Sequence, residues 1–450
     1  MNQKNKKIFM IGLAALVFFG AMYYFSSKSN QAAKTNETML TQEQMKEDLD
    51  ELIAKIKELH PNLENGFTTE QQAVIDKAYE DIKEDMTGEK FTFILSRVTS
   101  IMNDSNTYVN MYLSQESKSI ELYAIWLNDG LYVKETVGEL QKGDKIVAIG
   151  GKSTDEVLDM LAKTTSADNM NWVKSNYINN LMLESFLEEF GLVENNGVKI
   201  ELERNGEKKE VILPIVKLVE SEAYKLISET NKKAYEDEYI TYNIDETNNI
   251  GLLKINQFAE DSKFKKTIKA FFTEIKEKNI ENIAIDLKEN IGGSDKMLIE
   301  LMKYFDIEEY KYFTKYNNET RDEEREDYIV ENKKVKEELL FKGNLYVLTS
   351  IKTFATGNFL ATVVTDNGLG TVIGEPTGAS PSPYANITKI YKLPKSKYQY
   401  SVSDTKFIRP SGVEDDQVSL IPEYEVYTTI SDILDGKNPQ LEKVMELIKK

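Results

Sequence analysis

The chain has 450 residues, 41% of them hydrophobic and 29% charged, an ordinary globular composition long enough for about two or three domains. Lys and Arg number 56 against 75 Asp and Glu, a net charge of -19, so the surface field opposes nucleic acid and anionic lipid as partners. With no cysteine and one histidine, His60, the sequence excludes disulfides, thiolate nucleophiles, zinc-thiolate sites and any mechanism that needs two imidazoles.

Lys4, Lys6 and Lys7 precede an uncharged run from Ile8 to Phe25. Its eighteen residues fall within the ~17–25 that cross a hydrocarbon core as a helix, and Tyr23 and Tyr24 stand where an interfacial belt belongs. The lysines ahead of the run favour a cytoplasmic N-terminus, which places everything after Ser26 outside. Residues 1–37 are therefore expected to be a membrane anchor and polar tether, making a single-pass cell-membrane protein with an extracytoplasmic bulk. The alternative is a secretory signal cleaved near Ala32 and Ala33, after which the bulk is secreted.

Thr41 with Gln44 three residues later reads as a capping box, and Leu49, Leu52, Ile53, Ile56 and Leu59 repeat with helical spacing until Pro61. Two further helices are expected over 70–86 and 89–102, so residues 38–106 form a helical N-terminal domain. From Asn103 the pattern turns to strands, at 107–113, 120–127 and 130–137, with turns at Gly143-Asp144 and Gly150-Gly151. A helix from Thr154 to about Leu161 and strands at 198–203 and 208–214 complete the order expected of a PDZ-like module over 107–218. Between them, Trp172, Tyr177, Ile178, Leu181, Met182, Phe186 and Phe190 recur at helical spacing, which reads as core packing rather than a ligand groove.

From about Tyr239 strand and helix alternate. Strands are expected at 250–255, 283–287, 344–349 and 370–373, with helices at 264–275, 295–305 and 354–366. That alternation argues an α/β core over 239–450 with parallel pairing. The charged stretch 307–338 reads as an exposed insertion.

Gly292 and Gly293 stand directly after a buried-type strand and before a helix, where bare backbone N–H groups suit a developing oxyanion or a bound carboxylate. The surrounding Asp286-Leu-Lys-Glu-Asn-Ile-Gly-Gly293, together with Thr353-Phe-Ala-Thr-Gly357 and Gly374-Glu-Pro-Thr377, resembles the tail-specific (C-terminal processing) serine protease family. The branch is that of the tricorn core and the interphotoreceptor retinoid-binding repeats. Leu393-Pro394, Pro422-Glu-Tyr-Glu-Val426 and Gly436-Lys-Asn-Pro-Gln-Leu441 follow in family order, and the likeness spans about 41–450. It implies a crotonase-like protease core carrying a PDZ-like insert.

The chemical groups of that family are replaced. The general-base histidine corresponds to Asn106 and the nucleophilic serine to Ala355, while the stretch where the other branch keeps a lysine base reads Gly378-Ala-Ser-Pro381. An amide has no basic site near neutral pH and a methyl group cannot attack a carbonyl. The resemblance thus implies a catalytically inactive pseudoprotease that binds an extended peptide or a protein C-terminus, with Gly292, Gly293, Asn290 and Thr356 as its oxyanion and peptide-binding residues. The alternative is an active endopeptidase rewired through Thr356, with Lys352 or Lys288 as amine base. His60, in a His-Pro helix stop, reads as structural. The acidic cluster Glu414-Asp415-Asp416 reads as solvated surface, and neither metal nor cofactor is expected.

Overall fold

In the computed structural model of this protein, which describes residues 39–176, 178–317, 326–385, 390–414 and 417–449, the chain enters through the expected capping box. Thr41 accepts the Gln44 N–H while the Gln44 side chain accepts the Thr41 N–H, opening helix α1 (Gln42–Leu59). The membrane run, the tether, Tyr177 and Asp415-Asp416 lie outside the described residues. Among those described, no helix is long and apolar enough to cross a membrane.

Helix α2 (Thr69–Asp81) stops short of residue 86. Ile82 turns out of the helix to bury its side chain, and Met86–Thr87 then run antiparallel to Met39–Leu40 before Thr87 caps α3 (Gly88–Ser100). The helical layer closes its core on Leu393, Tyr398, Tyr400 and Val402 from far along the chain. Buried Asp48 on α1 accepts the N–H groups of Lys395 and Ser396, so the two stretches are also joined by charge-assisted hydrogen bonds.

An antiparallel sheet follows, built from β1 (Ala124–Leu127), β2 (Gly130–Val133), β3 (Lys145–Ile149), β4 (Gly197–Arg204) and β5 (Glu207–Pro214) in the order β5-β4-β3-β2-β1. The first strands are shorter than expected, and of 107–113 only Tyr108–Val109 pairs, against Gln399–Ser401. Helices α4 (Thr154–Lys163) and α5 (Met170–Asn176) lie between β3 and β4. Ile178, Leu181, Met182 and Phe186 enter this sheet's core and Phe190 packs at its margin, which agrees with their reading as packing residues. Trp172 points elsewhere. Helix α6 (Glu222–Lys232) leads to the second sheet.

That sheet contains β6 (Ile240–Asp245), β7 (Ile250–Ile255), β8 (Asn282–Asp286), β11 (Asn344–Thr349), β12 (Thr371–Gly374) and β14 (Tyr424–Glu425), in that order, with β6 antiparallel and the rest parallel. Every residue of β8 is buried because both faces are covered. Helices α7 (Ser262–Glu277), α8 (Asp295–Met302) and α9 (Ala355–Asp366) pack on one face, and α10 (Pro439–Ile448) sets Val444 against Ala284, Leu348 and Ile373 on the other. The mixed α/β fold expected from the alternation is present. The charged stretch 307–338 is not simply an exposed insertion, for β9 (Glu309–Asn317) and β10 (Glu326–Glu331) form a hairpin whose β9 also pairs with β13 (Thr405–Ile408). Tyr310, Tyr312, Phe313 and Thr314 are buried, and a shift of register between Lys311 and Phe313 interrupts the period of two that would have marked the strand among its charged neighbours Glu309, Lys311 and Lys315.

Candidate functional site

The loop after β8 meets the N-terminus of α9. Gly292 and Gly293 have φ of 101° and 132°, left-handed conformations that disfavour any side chain. Asn290, fully buried, is the peg between loop and helix. Its Oδ1 accepts the Gly292 N–H at 2.8 Å, its carbonyl accepts the Phe354 N–H at 2.9 Å, and its Nδ2 donates to the Ile255 carbonyl at 2.8 Å.

Ala355 is the first residue of α9 and has φ of 45°, a conformation that costs an L-residue roughly 1–2 kcal/mol. A Cβ on Gly292 would lie 2.6 Å from the Ala355 Cβ and 3.3 Å from the Thr356 nitrogen, so the loop's backbone closes directly on the head of the helix. The N–H groups of Gly293, Ala355 and Thr356 find no protein acceptor among the described residues, as expected for a helix N-terminus facing a ligand position. The arrangement can hold a carbonyl oxygen or a carboxylate. It has no group at Ala355 that can attack one.

Thr356 is buried, and its Oγ1 donates within the same neighbourhood, 2.9 Å from the Gly293 carbonyl and 3.0 Å from Asp295 Oδ1. Burial pushes the Asp295 carboxyl up to about 6. The two lysines weighed as bases are engaged by other partners. Lys352 pairs with Glu289 at 2.8 Å, and Lys288 donates to Asn438 and Gln440 at 2.6 and 3.2 Å. Glu414 is exposed.

Asn106 does not join the Gly292–Ala355 group by hydrogen bonding. Its Nδ2 donates to the Tyr384 carbonyl at 2.8 Å and its N–H to Asp104 Oδ1 at 2.9 Å. Asp104 is buried, and its other oxygen meets His60 Nε2 at 3.3 Å and the Thr107 hydroxyl at 2.6 Å. His60 Nδ1 accepts the Asn62 N–H, which leaves the hydrogen on Nε2 to donate to Asp104. Burial would raise the Asp104 carboxyl, but the bond and charge of His60 together with the hydroxyls of Ser403 and Thr107 outweigh it and hold the group below its ordinary value. Next to it, Asp168 accepts the Ser105 hydroxyl and N–H and, through its second oxygen, the Ser380 N–H. Burial and the neighbouring Asp104 charge push Asp168 up to about 6.

Asp168 precedes the segment that covers the head of α9. Trp172, 2% exposed, stacks on Phe354 with centroids 3.8 Å apart and planes at 13°, and Ala379 and the flank of Ala355 complete the cluster. Three polar side chains pin the segment: Asn169 Nδ2 to the Val418 carbonyl at 2.5 Å, Asn171 Nδ2 to the Pro376 carbonyl at 3.1 Å, and Ser175 Oγ to the Ile351 carbonyl at 2.9 Å. Neither Trp172, Asp168 nor Asp295 stands out as a site residue in the sequence. Trp172 has the signature of any core aromatic, and isolated aspartates carry no spacing signal.

Beside this cluster lies a cavity of about 600 Å3 between β1 and the carboxyl ends of β7, β8 and β11, where open α/β sheets place their ligands. Within it Glu289 sits between lysines. Burial would raise its carboxyl, but Lys352 and Lys134 overcome that and hold it at about 2.

Residues 249–426 match the model of peptidase family S41. No curated protein matches the chain in sequence. Among solved structures, the fold is similar to mature CPAF complexed with lactacystin, with a TM-score of 0.63 and 16% identity over 90% of this chain and 98% of that one. It is also similar to a chain from Parabacteroides merdae, with a TM-score of 0.51 and 12% identity over 91% and 97%. For the photosystem II D1 C-terminal processing protease the TM-score is 0.46, with 12% identity over 90% and 97%. At such identities the likeness to the first two is one of fold.

Proposed function

We propose that the protein, whose residues 249–426 match the model of peptidase family S41, is a catalytically silent member of the tail-specific proteases that binds an extended peptide or protein C-terminus outside the cytoplasm. The observation that carries this reading is Ala355. A methyl group occupies the left-handed head of α9, opposite the glycine loop, and the chain's one imidazole, His60, is hydrogen-bonded to Asp104 and Asn62. Losing nucleophile or base from such a unit costs on the order of a millionfold in turnover, and losing both costs little more. The oxyanion-type N–H groups and the cavity are unaffected by the loss, so binding outlives cleavage.

The strand order over 107–218 supports a PDZ-like module whose edge strand β1 accepts the peptide by strand addition. The run Ile8–Phe25 supports tethering to the membrane with the bulk outside. Trp172 over Phe354 leaves the neighbouring cavity, rather than the Ala355 position itself, as the place for the ligand.

The test is cleavage of an unstructured, C-terminally tagged reporter by the full-length protein in detergent, beside the N106H/A355S variant. An inactive natural chain that nonetheless captures the reporter supports the proposal, and cleavage by the natural chain defeats it. The Thr356 hydroxyl 3.0 Å from a carboxyl raised toward neutrality favours one second reading, a threonine-aspartate endopeptidase. Cleavage that T356A abolishes and D295N weakens would establish it.

A further inference from the structure

In a chain of net charge -19, the cavity beside α9 is lined by six lysines: Lys134, Lys174, Lys254, Lys288, Lys352 and Lys437. Three carboxylates line it with them, Asp286, Glu289 and Glu375; Asp286 stands 3.8 Å from Lys288, and Lys437 is paired with Asp435 at 2.9 Å. Glu289 is already taken by Lys352, and Glu375 accepts the N–H groups of Thr428 and Ile351. Lys174 lies over the Trp126 ring at 5.9 Å, and among the described residues neither it nor Lys254 has a carboxylate within 4 Å, Lys254 acting on Glu289 only from farther off. Like charges gathered around one concave space raise the local potential, and low-dielectric walls focus it, so the cavity concentrates anions that the rest of the surface repels.

The same cavity contains a free strand edge. β1 is the last strand of its sheet, and its upstream flank is closed where the Ile120 N–H donates to the Met182 carbonyl. Beyond that point the edge faces the cavity over Ala124–Leu127. The Tyr123 carbonyl accepts the Lys134 N–H from β2, and antiparallel alternation then turns the N–H and C=O groups of Ala124 and Trp126 outward. An extended backbone has its hydrogen-bonding partners there, with lysine ammoniums within side-chain reach of the same space.

The geometry points to an acidic extended peptide as the ligand, added as a strand to β1 with its carboxylates among Lys134, Lys174 and Lys254. This rests on the peptide-binding reading above and specifies its ligand. Direct pairing with β1 fixes the backbone, and charge decides which sequence is kept.

Fluorescence anisotropy of labelled twelve-residue peptides on the full-length protein in a non-ionic detergent tests it, comparing alternating Glu-Val, Ser-Val and Lys-Val sequences. The Glu-Val peptide is expected to bind about tenfold or more tighter than Ser-Val near 50 mM salt, with the gap closing toward 500 mM. K174E and K254E should each remove most of that preference. K336E, the same charge change at a lysine outside the cavity, should not. The wild-type comparison and its salt dependence stand even if a cavity variant fails to fold. Equal binding of Glu-Val and Ser-Val, unchanged by salt, overturns the acidic preference and leaves peptide binding intact. No binding of any peptide overturns both.

Discussion

A side chain begun on Gly292 would start 2.6 Å from the Cβ of Ala355, which itself sits at φ of 45°. Loop and helix are therefore fitted to each other at the distance of two backbones, a geometry suited to holding an oxygen atom between N–H groups. That fit is retained although the residue at its centre has no reactive group.

The strain at Ala355 makes a direct prediction. Alanine to glycine at an ordinary helical position costs about 1 kcal/mol, but here glycine relieves a left-handed alanine, so A355G should cost less than half of that or stabilise the protein. G292A should behave oppositely, losing about 1–3 kcal/mol through both overpacking and positive φ. Urea denaturation of the two variants reads both. An ordinary loss in A355G would mean the backbone at 355 relaxes without its partner loop.

Trp172 on Phe354 is the apolar contact that seats α5 on the core. W172A should destabilise by about 3–5 kcal/mol, as for other fully buried aromatics, while W172F should retain part of the stacking. Should W172A melt like the wild type, the segment is held by Asn169, Asn171 and Ser175 alone.

Asp168 predicts a pH dependence with a defined sign. Its folded carboxyl is raised to about 6 by burial and by Asp104, so its contribution to stability is fully present below the ordinary aspartate value and is lost as pH climbs to 6. D168N lacks this component. The melting temperature of D168N minus that of the wild type should therefore rise between pH 4 and pH 6, and a flat difference would place Asp168 at an ordinary carboxylate value.

His60 and Asp104 form a fully buried pair 3.3 Å apart. Removing the imidazole leaves a carboxylate with its remaining donors only, and H60A should cost about 3 kcal/mol or more. H60A/D104N should recover part of that loss, because the second change removes the stranded charge. Additive losses in the double variant would show that the two groups do not depend on each other.

The sequence alone determined what is local or periodic. The Thr41 and Gln44 cap follows from a spacing of three residues, the buried character of β8 from a short continuous apolar run, and the α/β alternation from runs and helical spacing in turn, while the glycine pair and the identities Ala355 and Asn106 are read without coordinates. The expected helix over 70–86 failed at Ile82 because a core contact outweighed helical propensity, and β9 went unrecognised because its solvent face carries the charge. Only the tertiary structure decided what lies beside what. Ser175 meets Ile351 across 176 residues of chain, Asp168 meets Ser380 across 212, and six lysines scattered through the sequence converge on one cavity. Such juxtapositions depend on the packing of whole layers, and no short-range pattern of side chains encodes them.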